Sequence, residues 1–418
     1  MIALVDCNNF FVSCERIFRP DLWNKPVCVL SNNDGCVIAR SNEVKAIGVK
    51  MGEPVFKCKH LFEKHNVTLF STNFPLYGNI SKRVMGILSQ YSNKQEIYSI
   101  DESFLELKPY DGNYQALGEE MRSKIDKWVG VPTCVGKAST KTLAKIANHI
   151  AKKYPQLEGV HIIDTEEKRI KALKWIPIEE VWGVGRRNAL KMKKYGIRTA
   201  QDYVELSDTF IKTSFTIVGL RMKYELLGVP SIPLEHRETE RKSISHSRTF
   251  SEPIQEKKSL EGILARFVSS VMEKLRDQKT CVKELTVYIS TSRFAQGGDL
   301  YNNSQSISLP VASSSTIEVL KYSKEILSII YRSGYKYKKM GIILSKLVSQ
   351  NSVQTDLFDK IDRKKDMGLM KVLDSVNSKM GKGKLGLASE MCKTGKVEKE
   401  NLSPEYTTKW SEILEINI

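Results

Sequence analysis

Two strand-like pentads, EIYSI (96–100) and SFLEL (103–107), are separated by Asp101 and Glu102 alone, a spacing that predicts a hairpin with an acidic two-residue turn. Within a strand, neighbouring side chains face opposite sides; at a turn, both carboxylates can project the same way. Ile2–Val5 is a short continuous apolar run, as in a strand covered on both faces, and it ends in an acid, Asp6. A carboxylate ending a buried strand costs free energy unless it has a partner or a task. Asp6, Asp101 and Glu102 are therefore expected to converge at the end of one sheet. Three such groups repel one another unless cations sit among them, and oxygen-only ligands suit Mg²⁺, which keeps coordination positions for water and substrate phosphates. Two such ions would clamp an in-line phosphoryl transfer. The plainer alternative is a polar hairpin tip, with Asp6 as a cap.

The chain has 418 residues, enough for about three domains, and a net charge of +17. Its 41% hydrophobic content, with Gly and Pro scattered without period, excludes a disordered or collagen-like chain. No apolar run reaches the length of a membrane span, and the opening MIALVDCNNF lacks a signal-peptide pattern, so a cytoplasmic protein with no membrane partner is expected. The eight cysteines form no CxxC pair, which argues against a zinc ribbon or a disulfide framework. The charge is uneven: residues 241–350 hold 18 basic and 9 acidic side chains, half of the whole excess. A domain-sized basic piece suits a phosphate backbone.

That piece alternates periods of two and of 3.6, and reads as strand (Ile244–Phe250), helix (Leu260–Leu275), two strands (around Leu285–Ile289 and Ser304–Leu309), helix (Ile317–Ile330) and strand (Met340–Val348). The order βαββαβ is the split-βαβ unit. Near the N-terminus, Asn32–Gly35 is a turn signal between VCVL and CVIA, giving a hairpin. STKTLAKIANHIAK (139–152) predicts an amphipathic helix with Leu143, Ile146, Ala147 and Ile150 inside. At about 100° per residue, Lys141, Lys145 and Lys152 fall on one stripe of its other face, either a phosphate-binding row or a solvated surface, while His149 is expected to be packed or solvated rather than catalytic. In VWGVGRRNALKMKKYGI (181–197), a Gly183-Val184-Gly185 turn opens a helix led by Arg186 and Arg187, a pattern suited to contacting a DNA backbone through turn amides and basic side chains. An ordinary helical hairpin is the alternative.

VDCNNFFVSCE (5–15), SNNDGCVIARSNEVKAIGVKMG (31–52), YSIDESF (98–104), KTLAKIANHIAKK (141–153) and VWGVGRR (181–187) follow one another as in Y-family DNA polymerases, which the chain resembles from end to end. FRPDLW (18–23), QTDLF (354–358) and SPEYTT (403–408) resemble the UmuC branch, the catalytic subunit of bacterial DNA polymerase V. The resemblance implies an α/β (α+β) multidomain right hand. A ferredoxin-like palm spans 1–10 and 74–165, small fingers 11–73, and a helical thumb with a helix-hairpin-helix 166–232. A linker covers 233–242, the βαββαβ little finger 243–348, and a tail with a clamp-binding motif 349–418. It implies low-fidelity translesion synthesis in SOS mutagenesis, on primer-template DNA with dNTPs. A processed UmuD dimer, RecA and a sliding clamp are the implied partners. A metal-dependent nuclease and a non-catalytic DNA-binding module are the two rival functions.

Residue by residue, the same resemblance assigns Asp6, Asp101, Glu102 and the backbone carbonyl of Cys7 to two Mg²⁺ ions, with the three acids as catalytic residues. Asn9, Phe10, Asn42, Lys45 and Lys152 would contact the nucleotide, although other branches often carry Tyr and Arg where this chain has Asn42 and Lys45, so a point charge replaces a fork. Phe11 takes the steric-gate position, where a ring excludes a 2′-hydroxyl; strand alternation would bury one of Phe10 and Phe11 in the core. Gly183, Gly185, Arg186 and Arg187 would hold DNA. Gln354, Leu357 and Phe358 would dock the clamp from a flexible tail whose flanks show no sustained helical stripe.

Overall fold

In a computed structural model, residues 1–108, 113–235, 240–292, 300–359, 361–381, 383–391 and 399–415 are described. The chain forms two compact units, Met1–Glu238 with Glu400–Ile418, and Thr239–Lys399.

The first unit is organised by the strand Ile2–Cys7. It lies in the middle of a five-stranded sheet ordered Gln95–Ile97, Glu102–Glu106, Ile2–Cys7, Thr133–Ala138, Val160–Ile162, antiparallel to both of its neighbours. Ala3, Val5 and Cys7 enter a core with Val12, Ile80 and Ile125 from the helices Phe10–Phe18, Phe74–Leu88 and Tyr114–Val129. Leu4 faces the other way, into a core with Phe104, Leu143 and Ile146, continued by Leu173, Met192 and Leu226 of the following helical segment. Cover on both faces explains why Ile2–Val5 is uninterruptedly apolar.

The acidic hairpin differs from expectation. Its strands are Gln95–Ile97 and Glu102–Glu106, so the connection runs from Tyr98 to Asp101 and Glu102 opens the second strand. The cause is Ser99. Its hydroxyl oxygen accepts the backbone N–H groups of Asp101 (3.3 Å) and Glu102 (3.0 Å), and the N–H groups of Tyr98 and Ser99 both donate to the Glu102 carbonyl, closing a wider turn. The hairpin Val27–Leu30 with Val37–Arg40 forms as read, and Thr68–Ser71 joins it in parallel to make a separate three-stranded sheet.

Helix Lys141–Lys153 packs on the second face of the large sheet, and its closeness depends on Gly136. A Cβ there would fall 2.1 Å from the Asn148 backbone nitrogen and 2.4 Å from the Ala144 carbonyl oxygen. Asn148 fastens the contact by donating to the Cys134 carbonyl at 2.8 Å.

The second unit has the βαββαβ order. Ile244–Ile254, Thr280–Thr291, Asn302–Ser313 and Tyr337–Ser349 make an antiparallel sheet with Asn302–Ser313 and Ile244–Ile254 at its edges. Helices Lys257–Asp277 and Thr316–Ile330 bury Leu264, Val268, Val319 and Leu327 against it. The segment 349–418 is not the loose tail expected. Arg363–Met380 is an 18-residue helix with Met370 as its buried residue; Asp374 takes both arms of the Arg276 guanidinium at 2.6 and 2.7 Å. One buried side chain and ion pairs hold it; Leu369, Met370, Leu373, Val376 and Met380 recur at helical spacing, but of that row only Met370 is buried.

Gly136→Ala should destabilise the protein by roughly 3 kcal/mol, because the opposing atoms are backbone and cannot swing away. Gly86→Ala, on the exposed side of helix Phe74–Leu88 with nothing within 4 Å of the added Cβ, should stabilise by about 0.5–1 kcal/mol. Urea unfolding of both variants checks this; equal effects would contradict the packing.

Candidate active site

Asp6 and Glu102 are direct cross-strand partners, and they share the sheet face carrying Leu4 and Phe104. The same face receives the lysine stripe of helix Lys141–Lys153, so of the two readings the plain solvated row does not hold. Lys152 Nζ lies 2.5 Å from Asp6, Lys145 donates to both Glu102 oxygens at 2.9 Å, and Lys141 donates to both Glu96 oxygens at 2.9 and 2.7 Å. Exposure rises along the stripe, from 4% for the Lys141 side chain to 16% for Lys145 and 36% for Lys152. Lys145 and Lys152 line a cleft of about 500 Å³ together with Asp6 and Glu102. Burial pushes the Asp6 carboxyl up to about 7, with Lys152 opposing and Glu102 adding to the rise.

Asp101 is not brought in with the other two. Its carboxylate takes the Ser99 hydroxyl at 2.5 Å, while its carbonyl accepts the Cys7 N–H at 2.9 Å. Among the described residues, no three His, Cys, Asp or Glu side chains form a ready-made metal cage. The donor set nonetheless fits a hard divalent cation: two facing carboxylates, offset only by lysine ammonium groups that a cation can replace.

Above the N-terminus of helix Phe10–Phe18, Asn9 is left-handed (φ 48°) and supplies no side-chain cap, so the first helical N–H groups stay free for an anion. Lys45 donates to the Asn9 side-chain oxygen at 2.6 Å, and Asn9 donates to the Asn42 oxygen at 3.1 Å. Desolvation lowers the Lys45 pKa, the positive charges of Arg40 and Lys152 lower it further, and Asp6 opposes the shift. Phe10 and Phe11 stand on a helix, not a strand: Phe10 is buried, and Phe11 is half-buried, stacked on Tyr77 with centroids 4.6 Å apart and planes at 16°.

Gly183 (φ 92°), Gly185, Arg186 and Arg187 are all exposed, at the start of helix Arg186–Lys194. His149 is half-buried, edge-on to Trp175 and 3.4 Å from Glu180, on the wall of the same cleft as Asp6 and Glu102. Leu357 and Phe358 are 99% and 87% exposed, with Gln354 also exposed. Sequence reasoning missed Arg40, Tyr77 and the aromatic cover of the lysines, where Tyr98, Phe104 and Trp182 lie 4.7, 5.8 and 5.6 Å from Lys145 Nζ. The Trp182 beside the GVG turn was the available signal for that cover.

Residues 5–149 match the model of the impB/mucB/samB family and 241–357 match that family's C-terminal domain. Protein UmuC of Salmonella typhimurium is 39% identical over all of both chains. The chain belongs to the impB/mucB/samB family. Family members thus include Protein ImpB of Salmonella typhimurium, 38% identical over 99% of both chains, while DNA polymerase IV 1 of Bacillus subtilis is 27% identical over 91% of both. In fold the chain is similar to a chimeric Y-family DNA polymerase, with TM-score 0.68 and 22% identity, covering 84% of this chain and 100% of that one. The likeness to the chimeric Y-family polymerase is one of fold, and the βαββαβ unit and five-stranded sheet described above belong to that shared architecture. Residues 367–416 match a domain of unknown function. No helix among the described residues is long and apolar enough to cross a membrane.

Because Asp6 titrates near 7, a proton competes with a divalent cation for this carboxylate. Cation binding should release about one proton at pH 6 and almost none at pH 8.5, with affinity rising with pH across that window. Calorimetry in buffers of different ionisation enthalpy reads the release; none at pH 6 would contradict the assignment.

Proposed function

We propose that this family member extends a primer by joining its 3′-hydroxyl to the α-phosphate of a dNTP, with Asp6, Asp101, Glu102 and the Cys7 carbonyl holding two Mg²⁺ ions. The observation that carries the reading is the cross-strand pair Asp6–Glu102, facing an open cleft and balanced by displaceable lysines. Bound Mg²⁺ would supply neutralisation of the charge that develops at the phosphorus. The residues' own work is distinct. Lys152 and Lys145, released from the carboxylates, turn to phosphate oxygens. The free N–H groups at Phe10 and Phe11, with Lys45 and Arg40, receive the triphosphate; Asn42 orients the Asn9 and Lys45 side chains. Asp101 joins the carboxylate set by turning from Ser99.

Phe11 serves as the steric gate, with the sugar above its ring. Its packing on Tyr77 favours a fixed wall over a purely core role, since Phe10 already fills the core position. Gly183, Gly185, Arg186 and Arg187 contact the DNA backbone, and the basic region 243–348 supplies most of the salt-dependent affinity. Palm at 1–10 and 74–165, fingers at 11–73, thumb at 166–232 and little finger at 243–348 divide this work among them. Gln354, Leu357 and Phe358 tether the enzyme to a sliding clamp, which raises its effective concentration at a primer end. Full exposure of two adjacent large apolar side chains supports that docking role. The likeness to UmuC supports work with a processed UmuD dimer and RecA filaments in the cytoplasm and nucleoid.

Asp101→Ala and Glu102→Gln should each lower nucleotide incorporation by roughly 10³-fold or more while leaving primer-template binding within about twofold, since the loss falls on the transition state. Primer extension beside a gel-shift titration measures both; lengthened primer at the normal rate would refute the reading, and shortened primer would favour a nuclease. Leu357→Ala with Phe358→Ala should leave single-nucleotide insertion on short DNA unchanged and abolish stimulation by clamp on long primed DNA. Retained stimulation would place the tether elsewhere.

A further inference from the structure

The last part of the chain returns to the first unit and packs behind the helix that carries Phe11. Leu402 bridges Ser71 in parallel, extending the three-stranded sheet; the Ser71 N–H donates to the Asn401 carbonyl at 2.8 Å and the Asn401 N–H to the Ser71 hydroxyl at 3.1 Å. Ser403 then goes inside, 6% exposed, where Asn73 donates to its carbonyl and hydroxyl oxygens at 3.0 Å each and to the Pro404 carbonyl at 3.1 Å. Asn73 is also the N-cap of helix Phe74–Leu88, accepting from the Leu76 N–H. Tyr406 stacks on Phe18 at 4.5 Å and 14°.

Between these anchors lies Glu15, 1% exposed. One of its oxygens accepts the Ser403 hydroxyl at 3.0 Å and the Tyr77 hydroxyl at 2.5 Å; the other is buried without a hydrogen-bond partner. Burial pushes this carboxyl up to about 7, and the two hydroxyl donors pull it back down. Phe11, Glu15 and Phe18 are spaced i, i+4, i+7 and so share one face of their helix. Down that face the contacts run from Tyr406 on Phe18, through Ser403 and Tyr77 on Glu15, to the Tyr77 ring on Phe11. Tyr77 is fully buried, so its ring is the fixed wall and Phe11 the part that leans on it.

We propose that the C-terminal segment Glu400–Lys409 is a positioning element for sugar selection, in which Ser403, through Glu15, fixes Tyr77 and thereby the ring of Phe11. The inference rests on Phe11 being the steric gate. It gives a role to part of the region matched only by a domain of unknown function. Ser403, Glu15 and Tyr77 are positioning residues and touch no substrate. Without the Ser403 hydroxyl, Glu15 loses one of two donors, Tyr77 is held less firmly, and Phe11 gains room to yield to a 2′-hydroxyl.

The test compares kcat/KM for a ribonucleotide and its deoxyribonucleotide opposite one template base, using the full chain. Ser403→Ala and Tyr77→Phe should each raise relative ribonucleotide acceptance roughly three- to tenfold, the range set by losing one buried hydrogen bond, and truncation after Lys399 by at least as much. Phe11→Ala should raise it much further, and adding Ser403→Ala to Phe11→Ala should change nothing more, because both act through one ring. If Phe11→Ala leaves the ratio unchanged, the gate reading fails and this inference with it. If Phe11→Ala raises the ratio while Ser403→Ala and Tyr77→Phe slow both sugars equally, the gate stands and the segment is only structural. Additive effects would likewise overturn the route through Phe11. Should the truncated chain not fold, the two point variants decide.

Discussion

The lysine stripe of helix Lys141–Lys153 against the carboxylates of the central sheet is the contact on which the rest of the first unit depends. Each of three lysines meets an acid on a different strand: Lys141 meets Glu96, Lys145 meets Glu102 and Lys152 meets Asp6. Desolvating an ion pair costs about as much as its attraction returns, so such pairs add little net stability but fix register and orientation. Here they fix which sheet face receives the helix, and Gly136 allows the approach. The apolar half of the same helix, Leu143, Ile146 and Ala147, carries the following helical segment. One 13-residue element thus joins the catalytic sheet to its cover.

The pairs divide in function along the helix. Lys141 and Glu96 are almost wholly enclosed, and Glu96 also accepts the Glu235 N–H, which ties the chain leaving this unit to the sheet. That pair is a permanent fastener. Lys145 and Lys152 open onto the cleft, and their carboxylates are those a divalent cation would claim. Burial raises the Asp6 pKa and Lys152 opposes that rise as its counter-charge, the place that the proposed cation would take. On the opposite face, the helix bearing Phe11 is braced by a segment from the far end of the chain. The proposed metal site and the proposed sugar gate are therefore supported from two sides of one sheet.

Much of this was legible in the sequence where a local period or a short motif carried it. Ile2–Asp6 announced a doubly covered strand ending in an acid, and the alternation of periods over 244–348 announced βαββαβ. What escaped was set by distant partners. A lysine row looks the same whether it meets water or acids on strands 40 or more residues away, and only packing decides. The acidic turn was drawn two residues too short and ending one residue too late, because Ser99, a residue counted as strand, closes a wider turn with its side chain. Helix Arg363–Met380 escaped although Leu369, Met370, Leu373, Val376 and Met380 recur at helical spacing, and it is held mainly by Met370 and ion pairs. Ser403 meets Glu15 from 388 positions away, a contact no local pattern encodes.

Acylation footprinting of lysine side chains, read by mass spectrometry before and after addition of Mg²⁺ with a dNTP, tests the lysine stripe as an exchangeable counter-charge. The account predicts changed reactivity at Lys145 and Lys152, as they leave Glu102 and Asp6, and none at Lys141. Changes at Lys141 equal to those at the other two, or a bound cation with Lys145 and Lys152 unaltered, would contradict it.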